Sequence, residues 1–253
     1  MIFLISPAKT LDFSERAYSE ATLPRHLDDT AELVALLKPM STSELRQLMS
    51  ISEKLAVLNQ ARYRDFATPF TPDNAKPSIL AFQGDVYRGL DAATFDEDDL
   101  RFADRHIRIL SGLYGMLRPL DLMQPYRLEM GTKLANARGK NLYDFWGGRL
   151  TEQINEDLAA TQSDAVVNLA SKEYFKAVQP DRLDGRLLNI DFKEERDGAY
   201  KIVALYAKQA RGMMCRYAVQ HRIAAPEALK QFDMEGYAYH EELSSDDHWI
   251  FTR

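Results

Sequence analysis

Residues 110 to 130, LSGLYGMLRPLDLMQPYRLEM, concentrate the residue types most able to do chemistry in this chain. Gly112 and Gly115 stand close together, Pro119 and Pro125 follow, and Arg118 and Arg127 lie among apolar neighbours. Glycine permits positive φ and close approach of another backbone, while proline fixes φ and ends regular elements. The run is too broken for one helix and too apolar for a solvated linker. It reads as a buried turn system that offers backbone amides and two guanidinium groups to a ligand.

Other candidates for ligand contact lie outside this run. Lys9, in ISPAKT, follows an apolar strand-like stretch and falls where open α/β sheets place ligand groups. A plain solvated lysine is the competing reading. Gly84-Asp85-Val86-Tyr87 forms a glycine turn leading into a helix, which suits either phosphate binding or a simple turn. Residues 207–223 form a basic helix, on which Lys208, Arg211 and Arg222 fall within an arc of about 60° at 100° per residue. Residues 201–225 hold 5 Lys and Arg and no acid, so the helix has no acidic partners of its own. That favours phosphate contact over a solvated face.

The elements that must position these groups follow from periodicity. Residues 2–6, 78–82 and 165–169 are short apolar runs and read as strands. Helices are expected at 25–38, at 51–66 with Ser52 as N-cap, at 96–109 and at 141–158. A capping box runs from Ser41 to Glu44. Asp96 to Asp99 crowd the start of the 96–109 helix and Arg101, Arg105 and Arg108 follow, matching its macrodipole. Residues 123–130 read as extended, with Tyr126, Leu128 and Met130 on one face and Arg127 and Glu129 on the other. Ser171 caps a short helix bearing Tyr174, Phe175 and Lys176. Strands at 186–193 and 199–206 flank the hairpin signal Arg196-Asp197-Gly198. Pro226 opens a last short helix, and residues 237–241 pair with 249–252.

Composition bounds the rest. The chain has 253 residues, 45 % hydrophobic and 28 % charged, with a net charge of −6, the profile of a folded globular protein. No apolar run approaches the roughly 18 residues of a membrane span. The start MIFLISPAKT lacks a basic leader, so no signal peptide, no membrane partner and a cytoplasmic location are expected. Charge alternates: residues 101–150 hold 9 Lys and Arg against 4 Asp and Glu, and 201–225 hold 5 against none. A fold that brings these two segments together builds a positive surface.

Cys215 is the only cysteine, and the five histidines show no metal-ligand spacing, so no metal or cofactor is expected. Cys215 reads as a packed thiol, although Arg211 and Arg216 nearby would favour a reactive thiolate if it were exposed. No nucleophile elbow, Walker loop or catalytic triad appears, and the residues give no sign of an enzyme.

Residues 110–115, following the expected helix, resemble the hairpin of helix-hairpin-helix DNA-binding motifs over about 97–121. There Gly112, Leu113, Tyr114 and Gly115 would present amides to phosphates without reading sequence. A wider resemblance rests on ISPAKT (5–10), GDVY (84–87), the 110–130 string, NLYDFW (141–146), NLAS with EYFK (168–171 and 173–176) and YAKQARG (206–212). Through these the whole chain resembles the bacterial YaaA family. The resemblance implies a cytosolic peroxide-stress protein that keeps free iron low. It also implies one α/β domain spanning residues 1–253, of unusual topology. That domain has a mixed central sheet flanked by helices, a positive cleft and a helix-hairpin-helix element that binds DNA.

Lys9, Arg118, Arg127, Lys176, Lys208 and Arg211 lie in the shared strings and are expected to line that cleft. The expected partner is double-stranded or structured DNA, and the expected state a monomer. The alternative is an enzyme acting on a phosphorylated small molecule or nucleic acid in the same cleft, with Tyr87 or Lys176 as acid or base.

Overall fold

The computed structural model describes residues 1–15 and 18–253. Its strands, in chain order, are β1 (Ile2–Ile5), β2 (Thr10–Leu11), β3 (Lys76–Pro77), β4 (Phe82–Gln83), β5 (Ile107–Ser111) and β6 (Gly115–Leu117). They continue with β7 (Leu122–Met123), β8 (Ala165–Asn168), β9 (Arg186–Arg196), β10 (Ala199–Lys201), β11 (Ala238–Tyr239) and β12 (His248–Thr252). Helices α1 (Leu27–Leu37), α2 (Thr42–Met49), α3 (Glu53–Asp65), α4 (Ser78–Ala81) and α5 (Asp85–Leu90) precede α6 (Glu97–His106). After them come α7 (Leu142–Trp146), α8 (Arg149–Ala160), α9 (Lys172–Phe175) and α10 (Ala204–Gln220).

The central sheet has eight strands in the order β11-β12-β9-β8-β1-β5-β6, with β10 paired to β9. β1 is parallel to both β5 (Phe3↔Ile107) and β8 (Phe3↔Val167). β8 and β12 are each parallel to β9. Strands covered on both faces need continuous apolar runs, and all four residues of β1 are buried. The longer β9 instead alternates, burying Leu188, Ile190 and Phe192. α8 packs on β1, while α10 packs on β9 and against α5. The fold is therefore mixed α/β with a mostly parallel sheet flanked by helices.

Several expected elements form as read. The Ser41 capping box, the Ser52 cap and the Asp96 start of α6 are all present. Residues 123–130 alternate as expected, with Tyr126, Leu128 and Met130 buried and Arg127 and Glu129 half-buried.

Four expectations are corrected. Residues 78–82 are not a strand but the one-turn helix α4 leading into β4. The helix expected at 141–158 breaks at Gly147, whose φ of 53° ends α7. The strand expected at 199–206 stops at Lys201, and α10 begins at Ala204. Most consequentially, α6 ends at His106. Residues Ile107–Leu117 then form an antiparallel β-hairpin, in register at Ile109↔Leu117 and Ser111↔Gly115.

The β-branched Ile107 and Ile109 are better satisfied beside β1 than in another helical turn. No second helix follows Gly115: β6 starts there, and Pro119 lies in the turn beyond it. The helix-hairpin-helix reading of 97–121 thus gives way to a helix followed by a β-hairpin.

Candidate functional site

The hairpin turn faces inward. Gly112, Leu113, Tyr114 and Gly115 are all buried. The indole N–H of Trp146 donates to the Gly112 carbonyl (3.1 Å), and the Tyr114 amide donates to Ser111 Oγ (3.0 Å). A side chain at Gly112 would collide with the Leu128 carbonyl, and one at Gly115 with the Trp146 ring. These glycines allow the close packing of a core corner. They present no amides to an external phosphate.

Arg118 is also structural. The antiparallel return of β6 carries it toward the amino end of β5, away from Lys9. There it pairs with Asp121 at 2.9 Å, whose carboxylate also accepts from the Arg118 amide and from Thr22. Lys176 ends α9, exposed, with its ammonium 4.9 Å from the Tyr143 ring centre.

Lys9, Lys208 and Arg211 do come together. They line one pocket of about 420 Å³ at the carboxyl ends of β1 and β8. The loop after β1 contributes Ser6 and Lys9, the turn before α5 contributes Gly84, α5 itself contributes Tyr87, and α9 and α10 close the far walls. Sheet order reverses at β1, because the chain places β5 on one side of it and β8 on the other. Such a switch point opens a crevice at the strand ends, where α/β proteins hold ligands. Lys208 and Arg211 lie one turn apart on α10 and so share a face.

A smaller recess of about 50 Å³ adjoins the same Pro7–Lys9 segment and Tyr174, and it contains Arg127. Glu129, which sequence reasoning assigned no role, ties the two together. One carboxylate oxygen meets Lys9 Nζ at 2.7 Å and the other meets Arg127 at 2.9 Å. The outward-facing alternation of Arg127 and Glu129 was the only sign of it in the sequence.

The guanidinium groups are incompletely satisfied. Arg211 is 18 % exposed, its contact with Asp191 is a long 3.6 Å, and its Nε is buried without a hydrogen-bond partner. Arg127 Nε is likewise buried and unpartnered. A buried donor left unpaired costs about 1–3 kcal/mol, and Arg216 Nε on the same helix shares that state. Burial lowers the Arg211 pKa, partly offset by Asp191, yet an arginine so placed remains charged.

Tyr87 donates to the Ser6 carbonyl (3.2 Å), and burial pushes its phenol, and that of Tyr174, well up. Both stay protonated near neutral pH and serve as hydrogen-bond donors, which removes Tyr87 as a general base. Lys176 does not line the pocket.

The basic segments are matched by acids from elsewhere in the chain. Arg211 meets Asp191, Arg216 meets Asp91 and Arg222 meets Asp99; Arg101 meets Glu20 and Arg138 meets Asp29. Five arginines of the expected positive surface are thus paired with acids. Lys208 has no ion pair among the described residues. Among the described residues no group of three or more His, Cys, Asp or Glu is placed to hold a metal ion. No helix is long and apolar enough to cross a membrane.

A mostly parallel α/β sheet with cations gathered at its central strand ends has the geometry at which such sheets commonly hold ligands. Sequence comparison sharpens this. The chain belongs to the family of the peroxide stress protein YaaA, whose profile it matches over residues 1–243. It is 52 % identical to a UPF0246 protein of Acaryochloris marina over the full length of both chains. It is 54 % identical to a UPF0246 protein of Azoarcus sp., covering 100 % of this chain and 99 % of that relative.

Proposed function

We propose that this peroxide stress protein binds DNA without sequence preference at the cationic mouth of the β1 pocket, and through that binding helps limit free intracellular iron. The observation that carries the reading is the convergence of Lys9, Lys208 and Arg211 on one pocket, with Arg127 beside it. Membership of the peroxide stress family supplies the physiological setting. The contact is assigned to this mouth rather than to the buried Gly112–Gly115 turn. Lys9, 62 % exposed, and the exposed Lys208 are the groups a phosphodiester backbone meets first.

Phosphate contacts without base readout bind many sequences and weaken steeply with salt. Three such contacts predict a slope of log K against log salt of about −2 to −3. The test is fluorescence anisotropy with labelled duplex and junction DNA, comparing the natural protein with a Lys9→Glu, Lys208→Glu double variant. Both side chains lie at the surface, and because Lys9→Glu faces Glu129, an unchanged urea midpoint is required of the variant. The variant is expected to lose about tenfold or more in affinity at low salt and to flatten the slope. Unchanged affinity overturns the reading. Cells carrying the variant are further expected to accumulate chelatable iron under peroxide as cells lacking the protein do, and normal iron would break the link to DNA binding.

A further inference from the structure

We infer that the β1 pocket is a preformed site for a small phosphate monoester of about mononucleotide size, and that Glu129, in the recess beside it, holds the pocket's Lys9 as an internal stand-in anion. The inference does not depend on DNA binding. It starts from the pocket's depth: a cavity of about 420 Å³ is at the lower end of the range that encloses a small organic ligand. A duplex has no means of entering it.

The walls divide into two cationic subsites. On α10, Arg211 Nε is buried with no acceptor and Lys208 lies one turn away without an ion pair among the described residues. A phosphate placed between them supplies the acceptor that Arg211 lacks, and the guanidinium fork suits phosphate geometry. In the recess beside the pocket, Lys9 and Arg127 are held together by the two oxygens of Glu129, and Arg127 Nε again has no acceptor.

A carboxylate spanning two cations imitates the bidentate contact of a phosphate. Lys9 lines both the pocket and the small recess, whereas Glu129 lines the recess and not the pocket, so its hold on Lys9 is what couples the two. An entering phosphate competes with Glu129 for Lys9, and the occupied site then has one more cation free to meet the ligand. The remaining wall includes Pro7, Val86, Tyr87 and Tyr174, which suit the organic part of the ester, and the carboxylates of Asp85 and Glu173, the first paired with Arg88 and the second accepting from the Gly131 amide. The Tyr87 hydroxyl, whose proton goes to the Ser6 carbonyl, keeps an acceptor lone pair for the ester's hydroxyl groups.

The probes are inorganic phosphate and adenosine monophosphate, with adenosine as control, followed by titration calorimetry and phosphorus NMR on the intact chain. Both phosphates are expected to bind at millimolar concentration or tighter, and adenosine at least about tenfold more weakly than its phosphate. Arg211→Gln is expected to weaken binding by about tenfold or more. Glu129→Gln keeps the side chain's shape and removes its charge, and is expected to tighten binding about two- to fivefold. This gain gives a readout that misfolding cannot mimic.

Absence of phosphate and nucleotide binding overturns the inference, as does binding indifferent to both variants. A third arm uses a 5′-phosphorylated oligonucleotide and its 5′-hydroxyl counterpart. Binding confined to the phosphorylated strand end would overturn the small-molecule source. The arms also separate this inference from DNA binding. Duplex affinity and monoester affinity are measured on the same protein, and either can fail while the other persists.

Discussion

Arg211 and Cys215 lie one turn apart on α10, and burial sends them to opposite fates. The arginine reaches the pocket with an unpartnered N–H, whereas the thiol is fully enclosed and burial alone pushes its pKa well up. A thiol must ionise and be reachable to react with peroxide. In spite of the family's stress setting, Cys215 is therefore expected to resist oxidation. Hydrogen peroxide followed by a sulfenic-acid probe should label nothing in the native protein and should label Cys215 once denaturant opens the fold. Labelling of the native chain would contradict this. The sequence showed the cations of this site but misjudged what surrounds them. Lys208 and Arg211 were readable because a helix face follows from spacing alone. Asp191, Asp91 and Asp99 were not assigned as their helix's partners, because each arrives from another element.

At the scale of elements, the pocket depends on how α10 is held. Gly212 of α10 lies against the Val86 carbonyl, and Gly89 of α5 lies against the Gln209 carbonyl, so two glycines let the helices touch backbone to backbone. This contact sets the wall that carries Lys208 and Arg211 against α5, which carries Tyr87. Gly212→Ala is expected to cost roughly 2–3 kcal/mol by forcing the helices apart, measured as a lower urea midpoint. It should also weaken phosphate binding, although Gly212 touches no ligand. Full stability in the variant would show that the helices can separate freely. The pairing escaped sequence reading because two distant glycines carry no periodic signal. The same limit explains the misread segment after α6. Helical charge order continued through Arg108, but pairing of Ile107 and Ile109 with β1 ended the helix. By contrast β1, α3 and the Ser41 cap were legible, since local pattern and tertiary demand agree there.

At the scale of the whole molecule, charge is spent on cohesion, and that makes stability depend on pH. Asp157, 7 % exposed, takes Arg108 at 2.6 Å and Arg25 at 2.7 Å, joining α8 to β5 and to the segment before α1. Burial pushes its carboxyl up, but the hydrogen bonds and charges of the two arginines outweigh this and hold it below its ordinary value of 3.8. His106, at the end of α6, contacts the Met1 carbonyl at 3.0 Å, and burial lowers its pKa from 6.5. Burial likewise lowers the Met1 amine from 8.0.

All three groups bind protons less readily in the folded chain than in the unfolded one, so their stabilisation is fully present above their unfolded pKa values and is lost on acidification. Asp104, raised by burial, acts in the opposite sense, but only in the carboxylate range. The unfolding free energy is therefore expected to decline as pH falls from about 8 toward 5, before most carboxylates titrate. His106→Gln should flatten that decline below about pH 6.5 while leaving the acid loss governed by Asp157. Urea midpoints across this range decide the matter. An unaltered slope in the variant would mean that the junction between Met1 and α6 carries no part of the acid sensitivity.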